Sequence, residues 1–220
     1  MGTSAIRFHL FLENLGLSQK CLTYQNSLSI VSSILPQGLH HLQSLGICHR
    51  DLSLENILVS NENCLIIDMG MCLRVPYNDP AGGIADVLRG TMRRLMKPQG
   101  VCGKHNYMSP EVFANTEAFD GFAIDLWAAG VILYIMLTGF PPYDQASRTD
   151  QRFDLIVNGR LVDQLRNWDI VLSDEVGDLL QCMLVLDPRD RLNLAEVMGH
   201  PWVTTGPVQA PPPAEPMPFH

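Results

Sequence analysis

Three oxygen-bearing side chains stand at spacings that could do chemistry together: Asp51, Asn56 five residues on, and Asp68 twelve after that. Between the last two lie short β-rich runs, Ile57-Leu58-Val59 and Cys64-Leu65-Ile66-Ile67, joined by the polar stretch Ser60-Asn61-Glu62-Asn63. Such a pattern reads as a hairpin. Its strands run out and back, so the residue before the first and the residue after the second return to one end. One amide oxygen and one carboxylate then converge, the hard oxygen donors that Mg²⁺ prefers. Asp51 can sit close by and accept a proton from an attacking hydroxyl.

The elements that must hold these groups are mostly helical. From Ser27 to Leu45 the residues Ile30, Val31, Ile34, Leu35, Leu39 and Leu42 recur at helical spacing, with a kink expected near Ser32 from Pro36. Residues 75–106 show no clean period and predict mostly loop. A buried helix is expected over about 121–137, then the turn Thr138-Gly139-Phe140-Pro141-Pro142 and a short helix near 148–157. Another amphipathic helix begins near Ser173 with Val176, Leu179, Leu180, Met183 and Leu184 on one face. Asn193 followed three residues on by Glu196 resembles a capping box that opens a last helix. The proline-rich stretch after Val203 predicts an unfolded or polyproline II tail. The fold class is therefore mainly α, a helical body carrying one small hairpin.

Composition narrows the function. The 220 residues hold 15 Lys+Arg against 23 Asp+Glu, a net charge of −8, which argues against nucleic-acid binding. The uninterrupted apolar run Leu126–Leu137 is short of the roughly 20 residues of a membrane span, so a core helix is expected and no membrane partner. The six cysteines form no C-x-x-C pair and read as reduced thiols of a cytoplasmic protein.

Around the first three residues the letters fit a known pattern. His49-Arg50-Asp51-Leu52-Ser53-Leu54-Glu55-Asn56 matches the H-R-D-L-x-x-x-N catalytic loop, and Asp68-Met69-Gly70 is a variant of D-F-G. Tyr107-Met108-Ser109-Pro110-Glu111 resembles the end of an activation segment, where A-P-E is usual. Asp125-Leu126-Trp127 resembles the start of a buried central helix, and Asp187-Pro188-Arg189-Asp190-Arg191 a closing region. The chain thus resembles the C-terminal lobe of a eukaryotic-type protein kinase, Ser/Thr more than Tyr, over about 27–202. Residues 1–26 match poorly and 203–220 form the proline-rich tail.

That resemblance implies ATP and Mg²⁺ as cofactors and a protein as substrate. It implies Asp51 as proton acceptor, Asn56 and Asp68 as Mg²⁺ ligands, and Leu58 as a core residue that also packs beneath adenine. It implies that His49 braces the Asp of D-F-G, that Asp125 ties down the catalytic-loop backbone, and that Arg191 pairs with Glu111. Glu55 would read a basic residue just upstream of the target hydroxyl.

The chain also departs from the family. No Gly-rich loop or V-A-I-K lysine precedes His49, so the N-terminal lobe is expected to be missing. Serine stands at 53 where these kinases carry Lys, and lysine at 104 where they carry Thr. The expectation is an exchange that places the Lys104 ammonium near Asp51, in a catalytic role. Met69 replaces Phe and is expected to fill the same apolar slot. Thr91, among Arg89, Arg93, Arg94 and Lys97, is a candidate phosphorylation site. A rival reading is a pseudokinase-like binding module without phosphoryl transfer.

Overall fold

The most apolar stretch of the chain becomes its centre. In a computed structural model, which describes residues 35–60, 63–75, 84–88 and 91–205, the elements follow in this order. Helix α1 (Leu35–Ser44) leads to strand β1 (Ile47–Cys48) and to the hairpin β2 (Ile57–Ser60) and β3 (Asn63–Ile66). Strands β4 (Leu73–Arg74), β5 (Ile84–Leu88) and β6 (Thr91–Met96) precede helix α2 (Pro110–Ala114) and strand β7 (Phe119–Asp120). Then come α3 (Gly121–Thr138), α4 (Gln151–Val157), α5 (Leu161–Asn167), α6 (Asp174–Met183), α7 (Leu194–Gly199) and α8 (Pro201–Thr205).

Helix α3 is apolar on every side, and all of its residues but Phe122 are buried. A helix hydrophobic all round must be surrounded. It has the length and mean hydropathy of a membrane span, yet 94% of it is buried within the fold. Asp120 starts it by accepting the Phe122 and Ala123 N–H groups, and Gly139 ends it at φ +85°. Helix α6 lies so close that a Cβ on Gly130 would come within 3.1 Å of Met183 and Leu184. Helix α1 packs its Leu35 and Leu39 into the same core, and Trp202 of α8 joins it.

The small strands serve the site. β2 and β3 pair antiparallel with Ile57 opposite Ile66 and Leu58 opposite Leu65, and β1 pairs with β4. Ile57 turns inward, while Leu58 and Leu65 stand 50% and 60% exposed on the other face. Leu58 is therefore not a core residue. The period of two in a strand puts it opposite to its buried neighbour.

One expectation about the body needs correction, and one helix was not foreseen. Within 75–106, the described residues 84–88 and 91–96 are strand and not loop: β5 and β6 pair along their length and β7 extends that sheet through Leu95↔Asp120 and Met96↔Phe119. Thr91 thus opens a strand. Helix α5 had no forewarning, since Arg160 before it makes no side-chain cap. Elsewhere the caps agree: Ser173 caps α6, and Asn193 with Glu196 forms a reciprocal capping box at α7. Helix α8 continues through Thr205. The kink expected near Ser32 lies outside the described residues, as does the tail from 206 on.

Candidate active site

The loop that carries Asp51 hangs from one buried carboxylate. Asp125, in the first half of α3 and 2% exposed, accepts the His49 N–H at 2.6 Å and the Arg50 N–H at 2.8 Å. Arg50 stands at φ +68°, a left-handed conformation that costs a non-glycine residue about 1–3 kcal/mol unless its surroundings enforce it. The two Asp125 bonds do so. Burial pushes the Asp125 carboxyl up to about 6, against the downward pull of those same N–H groups.

His49 is fully buried and links the loop to the hairpin. Its Nδ1 accepts the Asp51 N–H at 3.3 Å, so its Nε2 carries the proton donated to the Ile67 carbonyl at 3.0 Å. Ile67 immediately precedes Asp68, so the histidine braces that residue, as the sequence implies.

Asn56 closes the arrangement. Its Nδ2 donates to the Asp51 carbonyl at 2.7 Å and to Asp51 Oδ2 at 3.3 Å. Its own carbonyl accepts the Ile67 N–H at 2.9 Å, which extends the hairpin ladder by one rung. Asp51, Asn56 and Asp68 are thereby gathered at the open end of β2–β3. With its nitrogen committed to Asp51, Asn56 keeps Oδ1 as an acceptor. Asp68, at φ +63°, uses one carboxylate oxygen for the Gly70 N–H. The remaining amide and carboxylate oxygens are a donor set of the kind a hard divalent cation takes. Among the described residues no three His, Cys, Asp or Glu side chains gather as a metal cage.

Lys104 is not where the sequence expects it. Its Nζ donates to Ser53 Oγ at 2.9 Å and pairs with Glu55 Oε2 at 3.1 Å. The expected Lys104–Asp51 ion pair does not form among the described residues. The physical reason is local, because Ser53 and Glu55 offer a hydroxyl and a carboxylate on the side of the loop that Lys104 reaches. Serine and lysine do meet across the site, with the ammonium coming from the activation segment. Burial tends to raise the Glu55 carboxyl, but its own backbone N–H and Lys104 outweigh that and hold it below the usual range.

Met69 is also displaced from expectation. It stands 44% exposed, with the Cys72 thiol 3.6 Å from its sulfur, and fills no buried slot.

Sequence reasoning missed Gly103. It stands at φ +90°, and a Cβ there would lie 2.9 Å from the Arg50 carbonyl and 3.5 Å from Asp51 Oδ1. Only glycine lets this segment pass so close to Asp51. The signal was present, a glycine directly before the lysine under discussion.

Two further ties secure the end of the segment. Arg191, fully buried, forks onto Glu111 at 2.8 and 3.1 Å, donates to the Ala123 and Val185 carbonyls, and stacks 4.9 Å above Trp127. This is the pair the sequence implies. Trp127 Nε1 donates to the Tyr143 hydroxyl at 2.6 Å, which donates to the Met108 carbonyl at 3.0 Å. That relay from the central helix to Met108 went unforeseen.

Comparison with known proteins agrees with this geometry. The family model described as "Protein kinase domain" matches residues 8–203. Human serine/threonine-protein kinase DCLK3 is 36% identical over 173 residues, covering 78% of this chain and 24% of that protein. Mouse serine/threonine-protein kinase DCLK2 is 35% identical over 171 residues, 77% of this chain and 20% of the relative. Fatty acyl-CoA synthetase and RNA processing-associated kinase 1 of Saccharomyces cerevisiae is 32% identical over 191 residues, 83% and 19%. The chain thus spans a fifth to a quarter of the length of these relatives. A catalytic loop hung on a buried aspartate, a hairpin that gathers Asp51, Asn56 and Asp68, and a match over nearly the whole chain lead to one assignment: this chain belongs to the protein kinase domain family.

Proposed function

We propose that the chain is the C-terminal lobe of a protein serine/threonine kinase domain, and that it moves the γ-phosphoryl group of ATP to a Ser or Thr hydroxyl of a protein. The observation that carries this reading is the Asn56 side-chain Nδ2 bonded to Asp51 while the Asn56 main-chain carbonyl accepts the Ile67 N–H, beside Asp68. Asp51 orients the acceptor hydroxyl and takes its proton. Asn56 and Asp68 would hold Mg²⁺. Leu58, exposed on the hairpin, offers apolar surface to the adenine ring. Bound Mg²⁺·ATP supplies the transferable group and neutralises its charge. The names of the DCLK relatives support Ser/Thr over Tyr acceptors. Free thiols at Cys48, Cys72, Cys102 and Cys182 support a cytoplasmic location.

The test is thermal melting with ATP, with and without Mg²⁺. The parent should gain several degrees only when both are present, because a ligand that binds the folded state alone raises its stability. Asp68→Ala should gain none. A melting point that ignores Mg²⁺·ATP in the parent would refute the reading. Transfer of labelled phosphate to Ser, Thr and Tyr peptides then settles the acceptor.

One observation favours a second reading, a binding module without phosphoryl transfer. The Lys104 ammonium is taken up by Glu55 and Ser53 and forms no ion pair with Asp51, so it is not committed to the group being transferred. Nucleotide binding without transfer would select that reading.

A further inference from the structure

Lys104 and Glu55 form a half-open ion pair beside Asp51, with 41% and 34% of their side chains exposed. Glu55 sits in the single turn Leu54–Asn56, one residue before Asn56, so its carboxylate belongs to the same loop as Asp51. Lys104 reaches it from the segment that follows Gly103. Its position is built in: Gly103 is wedged against the Arg50 carbonyl, and the Lys104 carbonyl accepts the Tyr107 N–H at 2.9 Å. Ser53, fully buried, gives the ammonium a second and immobile partner. With the Lys104 ammonium 3.1 Å from its Oε2, the Glu55 carboxylate already has its cation. The charged groups at this spot are Glu55 and Lys104, with Asp51 four residues earlier in the same loop.

We propose that Lys104 is a specificity-determining residue: its ammonium closes the acidic subsite made by Glu55, so an acceptor segment reaches Asp51 without selection for a basic side chain there. The inference rests on the reading that Asp51 faces an acceptor peptide. It reverses the sequence expectation that Glu55 selects a basic residue. An incoming Arg would exchange one cation for another at a single carboxylate and would forfeit the Ser53 bond, so it gains no advantage over a neutral residue. Removing the lysine leaves the half-buried Glu55 carboxylate without its cation, a place that a basic peptide can then fill.

The test uses fluorescein-labelled Ser peptides carrying Arg or Gln at each of the three positions upstream of the serine. Affinities for the full chain are read by anisotropy at low salt. The parent should bind the Arg and Gln forms within twofold of each other, and Glu55→Gln should leave that ratio within twofold. Lys104→Met should favour an Arg form by fivefold or more, and Lys104→Met/Glu55→Gln should abolish the preference. Thermal melts check that each variant is folded. If Lys104→Met is not, the Glu55→Gln comparison with the parent decides alone. A parent that already favours Arg fivefold, a folded Lys104→Met with no preference, or proteins that bind none of the peptides would overturn the inference. Phosphoryl transfer is scored separately. Its absence alongside the expected binding ratios would sink the catalytic reading and leave this one standing.

Discussion

Two ion pairs fasten the stretch from Lys104 to Glu111, one at each end, and they differ in depth. Arg191 is fully buried against Glu111 at 14% exposure, while Lys104 and Glu55 lie open to solvent. The Arg191 guanidinium also meets the Ala123 and Val185 carbonyls and the Trp127 ring, whereas among the described residues the Lys104 ammonium has Ser53 as its one other partner. The same charge chemistry therefore does two jobs. A pair taken out of water must be complete or the fold suffers. A pair left half in water contributes little to stability and is free to set what the cleft accepts.

The largest effect should come from breaking the deep pair. Arg191→Ala leaves Glu111 and the Ala123, Val185 and Leu186 carbonyls without their cation, and should cost about 3–5 kcal/mol. Urea denaturation would show it as a large fall in midpoint, with little folded protein at 37 °C. A loss under 1 kcal/mol would mean that the buried fork does not hold α2 against α3.

Asp125 is the next most exposed to test. Asp125→Asn supplies one acceptor where the His49 and Arg50 N–H groups need two, and should cost about 2–3 kcal/mol. The effect has a pH signature. Because burial raises the Asp125 carboxyl to about 6, the folded protein keeps a proton there after the unfolded chain has lost it. That contribution is full below the ordinary carboxylate range and is lost as pH rises through about 6. The parent's lead over Asp125→Asn should accordingly shrink between pH 4.5 and 7. A lead that stays constant or grows would contradict the raised value.

What the letters revealed and what they hid divides along sequence distance. The hairpin that joins Asn56 to Asp68 is short-range, and its period and polar loop make it legible. So is the capping box of Asn193 and Glu196. The Glu111–Arg191 pair, 80 residues apart, was legible only through the family pattern. The β5–β6–β7 sheet was not, since Leu95 finds Asp120 across a loop and a helix, and charged residues interrupt the alternation of β6. The partner of Lys104 was hidden for a different reason. Ser53, Glu55 and Asp51 all belong to one loop, and which of them an ammonium meets depends on how Gly103 seats the segment, a matter of ångströms.

The relay through Tyr143 tests the middle of the same stretch. Tyr143→Phe keeps the ring packing against Phe153 and removes only the hydroxyl. The Trp127 N–H and the Met108 carbonyl then lose their shared partner inside the core. A buried group left unpaired costs about 1–3 kcal/mol, so the melting point should fall by a few degrees. Trp127 fluorescence would report the change locally. An unchanged melting point would show that the relay adds nothing to the anchoring of Met108.

The smallest effect should come from the open pair, and its smallness is the point. A double-mutant cycle with Lys104→Met and Glu55→Gln should give a coupling of about 0.2–1 kcal/mol in denaturation at low salt. Moderate salt should erase most of it, because counter-ions screen exposed charges over about 10 Å at 0.1 M. No such screening reaches Arg191, so the Arg191→Ala penalty should be nearly the same at both ionic strengths. If the Lys104–Glu55 coupling instead persisted at high salt and approached the size of the buried pair, the lysine would be a structural strut. Its position beside Asp51 would then be fixed by the needs of the fold, and the distinction between the two ends of the segment would fail.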